Sequence, residues 1–327
     1  MKIFLVKLAV YVLVLGLIVE GINFYYIYRT TINPTIHRDS AGSRALLEDN
    51  HIVNKEIPDN IQICNFGNSH SYFGFNYEDA AKQYTCFKFA LESQSLRYDC
   101  KILEYYKNKI QNGAVVFISL SYTSFFGKPE VKNADFESQN IRYYNILPKE
   151  LIDQYNSRTA FYVKYYPIIY YSNPISLLKT LLLINRDSWD RETSPEKSDG
   201  LSRCEYHVTR LCDENGKRIY NQQSLEALYR MIDICREIGA KPVLITMPYL
   251  HEYTDAVYEN DPQFFIDFHT IIDEVSNNTG IEYYDYSEDA RFSHEYSLFF
   301  NSDHMNRQGA RKFTNTLLHE VLGIDPD

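Results

Sequence analysis

The sequence predicts an α/β fold: a three-layer α/β/α sandwich around a mainly parallel five-stranded sheet, with an N-terminal transmembrane helix and a helical insertion. Three observations predict it. Short apolar runs rich in β-branched and aromatic residues alternate with amphipathic helical stretches, the order that builds parallel sheets. An unbroken apolar segment opens the chain, and the alternation stops between residues 127 and 220.

The opening segment is "LAVYVLVLGLIV", residues 8–19, extended by "GINFYYIY" to Tyr28 after a single Glu20. That is the length a helix needs to cross a bilayer. Lys2 and Lys7 precede it, and the aromatic cluster Phe24, Tyr25, Tyr26 and Tyr28 follows it. The positive-inside bias predicts a cytoplasmic N-terminus and an extracytoplasmic remainder. No small-x-small cleavage site follows, so residues 1–28 read as an uncleaved signal anchor in the cell membrane, held by lipid. Glu20 falls near the outer end, where it can snorkel or meet a membrane partner. Residues 29–58 are polar and aperiodic, and read as a tether.

From 59 to 327 the chain reads as one α/β domain. "NIQICNF" (60–66) is a buried strand with a helix near 76–83 behind it. "YTCFKFAL" (84–91) is a second strand, followed by a helix over 95–111, and "AVVFISL" (114–120) is a third. A helix over 222–238 ends at Gly239 in a C-cap position. "KPVLITM" (241–247), a helix over 261–278, "IEYYDY" (281–286) and a helix over 307–322 complete the pattern. The insertion at about 127–220 carries the apolar stretches "AFYVKYYPIIYY" and "PISLLKTLLLI", and reads as a lid.

Bulk properties narrow the function. Of 327 residues 45% are apolar, enough for a sizeable core, and the net charge of −10 excludes a nucleic-acid partner. The six cysteines form no CxxC pair, so neither a zinc site nor any other metal or cofactor is expected. Cys204 and Cys212 flank "EYHVTRL" and are candidates to bridge a hairpin; the others read as small core residues.

In open parallel sheets the binding crevice lies outside the carboxyl ends of the strands. Strand one delivers Gly67, Asn68, Ser69 and His70 there. The turn after strand two carries Ser93, Gln94 and Ser95, and strand three ends at Ser119, Ser121 and Tyr122. Strand four runs into His251 and strand five ends at Asp285. Beyond it, "FFNSDHMNRQGARKF" sets Asn301, Asp303 and His304 just before a helix. A serine, a histidine and several amide or hydroxyl donors at one crevice are what acyl transfer requires. No paired-carboxylate pattern suggests glycosidase chemistry. Ser69 also reads as a plain turn residue and His304 as a helix-start residue, so both readings stay open.

"FGNSHSYFGF" and "NSDHMNRQGARKFT" resemble the first and last blocks of SGNH (GDSL-type) hydrolases, some 235 residues apart. "FALESQSLRYDCKILEYY" and "VVFISLSYTSF" resemble the membrane-anchored branch related to the D-alanyl transfer protein of teichoic acid D-alanylation. The resemblance implies Ser69 as nucleophile and His304 as base. It implies the Ser69 N–H as one oxyanion donor; where the family's other donors are missing this chain offers Gln94 and Ser121. Asn68, His70 and Tyr122 are expected to line the pocket, His70 also reading as a neighbour packed under the turn. The substrate class it implies is a surface glycan or teichoic-type polymer, and the partner a multi-pass membrane acyltransferase. Three departures stand out: no Gly after strand two, no Gly-x-Asn-Asp after strand three, and Asn301 where the family places an Asp. Asp303, immediately before His304, is the nearest substitute. A degenerate domain that binds a glycan or scaffolds an acyltransferase is the alternative expectation.

Overall fold

A computed structural model describes residues 2–32, 57–127, 140–144, 146–166, 189, 191–197 and 199–324. The chain forms two compact units, Met1–Leu47 with Lys132–Arg186, and Glu48–Val131 with Asp187–Asp327. The stretch read as a single insertion is therefore divided between them, and its apolar run at 174–184 lies outside the described residues.

In the first unit, helix α1 (Lys2–Ile32) extends four residues past the anchor boundary expected at Tyr28. Its segment Lys2–Ile22 is long and apolar enough to cross a membrane, and none of it is buried in protein. Of the stretch 29–58 read as a tether, residues 33–56 lie outside the described residues. A second helix, α4 (Ser157–Tyr165), is capped by Asn156, whose side chain accepts from the Arg158 and Thr159 N–H groups. Glu20 meets the hydroxyl of Tyr166 and raises its pKa, so its partner here is a residue of its own unit.

The second unit is built on a five-stranded parallel sheet of order β2-β1-β3-β4-β5. The strands are β1 (Ile61–Phe66), β2 (Cys86–Lys88), β3 (Ile110–Leu120), β4 (Lys241–Thr246) and β5 (Tyr283–Asp285). β1, β3 and β4 are apolar almost throughout because helices cover both faces. One face sends Ile63, Val115, Phe117, Val243 and Ile245 into a core shared with Phe313, Leu317 and Leu318 of α10 (Arg307–Leu322). Residues of the opposite parity, such as Cys64, Val116, Ile118 and Leu244, are equally buried on the other face. There α3 (Leu96–Tyr106) and α6 (Gln222–Glu237) pack together, burying Ile102, Leu103, Leu228 and Ile232.

Several boundaries differ from expectation, each for a local reason. The helix after β1 is α2 (Ser69–Gly74), not 76–83, because Asn68 caps it directly by accepting the His70 N–H. Only a 3₁₀ turn, Ala80–Lys82, occupies the expected position. The third strand starts at Ile110 because α3 stops at Tyr106 and one 3₁₀ turn follows. "EYHVTRL" is no hairpin: it lies in α5 (Gly200–Arg210), with Cys204 buried in that helix, and both Cys204 and Cys212 are free. The sequence after β4 forms α7 (His251–Asn260) before α8 (Pro262–Thr279). After the short α9 (Ala290–Ser293) come β6 (Phe299–Asn301) and β7 (His304–Met305), a two-stranded ribbon leading into α10.

Candidate active site

β1 ends at Gly67, where the chain turns sharply with φ +137°. A Cβ there would sit 2.9 Å from both Ser119 and Ser71, so the turn admits only glycine. The Gly67 N–H donates to the buried Asp99 carboxylate at 2.8 Å, which ties the turn to the first residues of α3. Ser69 follows as the first residue of α2, half-buried. Asn68 holds this start in place: its Oδ1 accepts the His70 N–H at 3.1 Å and its Nδ2 donates to Ser121 Oγ at 2.9 Å.

The turn between β6 and β7 carries the second half. Asn301 Oδ1 accepts the His304 N–H at 2.8 Å and the Asp303 N–H at 3.3 Å. Two backbone donors aimed at one atom identify that atom as the oxygen of the amide. The same oxygen lies 3.1 Å from His304 Nδ1, so that nitrogen carries the ring proton. The neutral ring then has its lone pair on Nε2, which is buried and has no hydrogen-bond partner. Asparagine thus fixes the tautomer that leaves Nε2 able to accept a proton.

Asp303 does face the ring, although it is the adjacent residue. Its Oδ1 stands 3.0 Å from His304 Nδ1, out of line for a hydrogen bond but close enough for strong charge attraction. Around this fully buried carboxylate stand three further groups. His70 Nε2 is 3.4 Å and His207 Nε2 3.8 Å from Oδ2, and Arg203 Nε is 3.5 Å from Oδ1. Burial opposes the charge on Asp303, but the His304 and His70 rings outweigh it and hold the carboxyl well below the usual carboxylate range. Burial lowers the pKa of His70, with Asp303 pulling the other way, and lowers that of His207 to about 4.

The His70 and His304 rings stack at 5.0 Å, and the edge of Phe73 meets His304 at 5.3 Å. The first turn of α2, with Ser69 at its head, therefore lies against the ribbon that carries His304. His70, Asp303 and His304 offer potential metal ligands within 4.8 Å of one another. His304 Nδ1 is committed to Asn301, which leaves Nε2 as that ring's ligand atom, and Arg203 places a cation beside the carboxylate.

Other expected site residues take structural roles. Gln94 Nε2 donates to Asp99 Oδ1 at 2.6 Å and to the Phe89 carbonyl at 3.1 Å. Those bonds use both amide hydrogens, so Gln94 buttresses the Gly67 turn instead of offering donors to an oxyanion. The Ser121 N–H donates to Ser124 Oγ at 2.9 Å and is likewise committed. Tyr122 is buried among Tyr249, Phe265 and Phe268. His251 opens α7, with Nδ1 3.2 Å from the Ser293 carbonyl oxygen and its ring against His294, outside the cluster. Asp285 accepts from His269 at 2.8 Å and from the Ser287 N–H at 2.9 Å, so it serves the end of β5 and not His304.

Comparison with known protein families finds no match, and comparison with curated proteins finds none either. Among solved structures, one similar chain is a candidate acylhydrolase from Bacteroides fragilis. It is 10% identical, with a TM-score of 0.41, and the match covers 82% of this chain and 91% of that one. A likeness of that size carries no argument about activity, which rests on the side chains themselves.

Three of those side chains escape a sequence reading. Asp99, Arg203 and His207 reach the site across 32 to 100 residues of chain. Only the four-residue spacing of Arg203 and His207, about one turn of a helix, offers any signal, and it needs the helix to be recognised first.

Proposed function

We propose that the chain is a membrane-anchored, extracytoplasmic serine esterase or O-acyltransferase of SGNH type. Ser69 attacks an acyl donor, His304 Nε2 accepts its proton and returns it to the leaving group, and an alcohol or water then takes the acyl group from Ser69. The observation that carries the reading is the His304 tautomer, with a protonated Nδ1 and an unpartnered Nε2 on a ribbon packed against the helix that begins at Ser69. The acceptor we propose is a hydroxyl of a surface glycan or teichoic-type polymer, with a multi-pass membrane acyltransferase as donor-side partner. The apolar α1 and the lysines in its first two turns support the anchored topology.

A second reading, a degenerate domain that binds a glycan or scaffolds an acyltransferase, draws on the committed donors of Gln94 and Ser121. Pre-steady-state kinetics on p-nitrophenyl acetate separate the two. The first predicts a burst of one nitrophenol per chain that vanishes in Ser69→Ala. No burst above background from folded wild-type protein favours the second.

A further inference from the structure

We infer that α5 supplies a positioning pair, Arg203 and His207, which holds the Asp303 carboxylate beside the His304 ring and fixes the turn at residues 301–304. This inference rests on the acyl-transfer reading of Ser69 and His304, and it adds residues that neither the motif blocks nor the comparisons assign.

Arg203 and His207 are four residues apart and therefore share one face of α5. They address different oxygens of the same carboxylate, Arg203 Nε at 3.5 Å from Oδ1 and His207 Nε2 at 3.8 Å from Oδ2. Both are themselves held. His207 Nδ1 is 2.9 Å from the Tyr253 hydroxyl, and Arg203 Nε donates to Asp199 Oδ2 at 2.8 Å. Asp199, just before α5, accepts the Ser302 N–H on its other oxygen at 3.0 Å. The 301–304 turn is thus gripped twice by one helix, at the Ser302 backbone and at the Asp303 side chain. From α7 the Leu250 N–H reaches the Ser302 carbonyl at 2.9 Å and closes the other side.

The seating of α5 is equally definite. A Cβ on Gly200 would lie 2.6 Å from the Glu252 carbonyl oxygen, so the start of α5 rests on the α7 backbone with room only for glycine. An aspartate buried this deeply needs its orientation fixed, because each rotamer that turns it from His304 forfeits the charge attraction. In this structure α5 does the fixing.

The test is a double-mutant cycle on the full chain in detergent, with p-nitrophenyl acetate as substrate. Arg203→Leu is expected to lower kcat about 10- to 100-fold, as loss of an outer-shell partner commonly does. KM should stay within about twofold, and Arg203→Lys should recover part of the loss. In an Asp303→Asn background the same substitution should cost less than about twofold, since no carboxylate remains to be held. Equal losses in both backgrounds would overturn the inference. Should Arg203→Leu fail to fold, Arg203→Gln carries the same comparison. Amide exchange decides the matter without turnover: in Arg203→Leu, exchange over 300–305 should quicken about tenfold while β1 is unchanged. Unaltered exchange refutes the clamp. An inert wild type with quickened exchange refutes only the acyl-transfer reading.

Discussion

Which residue supplies the negative charge beside His304 can be decided by substitution. Asn301 accepts the Nδ1 proton, but it is neutral; Asp303 Oδ1 lies 3.0 Å from the same nitrogen and is charged. In the proposed reaction the ring takes a proton from Ser69, and the carboxylate and the imidazolium then attract one another. With charge centres about 4 Å apart and an effective dielectric near 20, that attraction is about 4 kcal/mol, or roughly three powers of ten in rate. The tautomer bond from Asn301 is neutral and contributes about 1 kcal/mol. Asp303→Asn is therefore expected to lower kcat about 10²–10³-fold and Asn301→Ala only about tenfold. Asn301→Asp should not restore a stronger enzyme. The new carboxylate would lie within about 6 Å of Asp303, because both touch one nitrogen, and two buried like charges so close repel by about 2–3 kcal/mol. Steady-state kinetics on a chromogenic ester, with circular dichroism as the folding control, read all three variants. A gain above about 100-fold in Asn301→Asp, or a larger loss in Asn301→Ala than in Asp303→Asn, would refute the assignment of the charge to Asp303.

Further outcomes follow from other parts of the molecule. Burial raises the thiols of Cys86 and Cys235 to about 12 and those of Cys100 and Cys204 to about 11. Native protein should therefore react with no more than two equivalents of a disulfide reagent, against six after unfolding. Ser93 is exposed and adopts φ +51°, a glycine-like backbone in the turn after β2. Ser93→Gly should raise stability by about 0.5–1 kcal/mol in thermal unfolding, and a loss would contradict the strain. Asp79, buried and paired with Arg311 and Asn315, has its pKa lowered by those partners. Its contribution is full above the unfolded carboxyl value near 4 and fades as pH falls below it. Asp79→Asn should thus cost about 1–2 kcal/mol at pH 7, discounted for the half-exposed Arg311, and converge with wild type in acid. His207 runs the other way. Its pKa of about 4 lies below the unfolded value near 6.5, so the unfolded chain binds the extra proton between those limits. Stability should rise with pH across that window, less steeply in His207→Gln.

Much of this fold is legible in the sequence because buried parallel strands are continuous apolar runs. β1, β3 and β4 announce themselves, and α6, α8 and α10 carry full amphipathic turns bounded by clear caps such as Asn306 and Gly323. The short α2 escapes, since six residues hold too little periodicity and its start depends on one side chain, Asn68. Helix α5 escapes for a different reason: flanking cysteines suggest a bridge only when the intervening backbone is unknown. Ser69, Asn301, Asp303 and His304 are legible as residue types at strand ends. The tautomer is not, because it depends on two backbone N–H groups fixing the Asn301 oxygen. Gln94 misleads since its binding partner, Asp99, sits across a turn, and a free amide looks the same in sequence as a committed one.

The central claim is that Ser69 is a nucleophile activated by His304. It is tested most directly by peptide mapping after treatment of the intact protein with a fluorophosphonate. One phosphonyl adduct per chain on the Ser69 peptide, lost in His304→Ala while the fold is retained, is the predicted result. An unmodified Ser69 in folded wild-type protein, or labelling as fast in His304→Ala as in wild type, would contradict it.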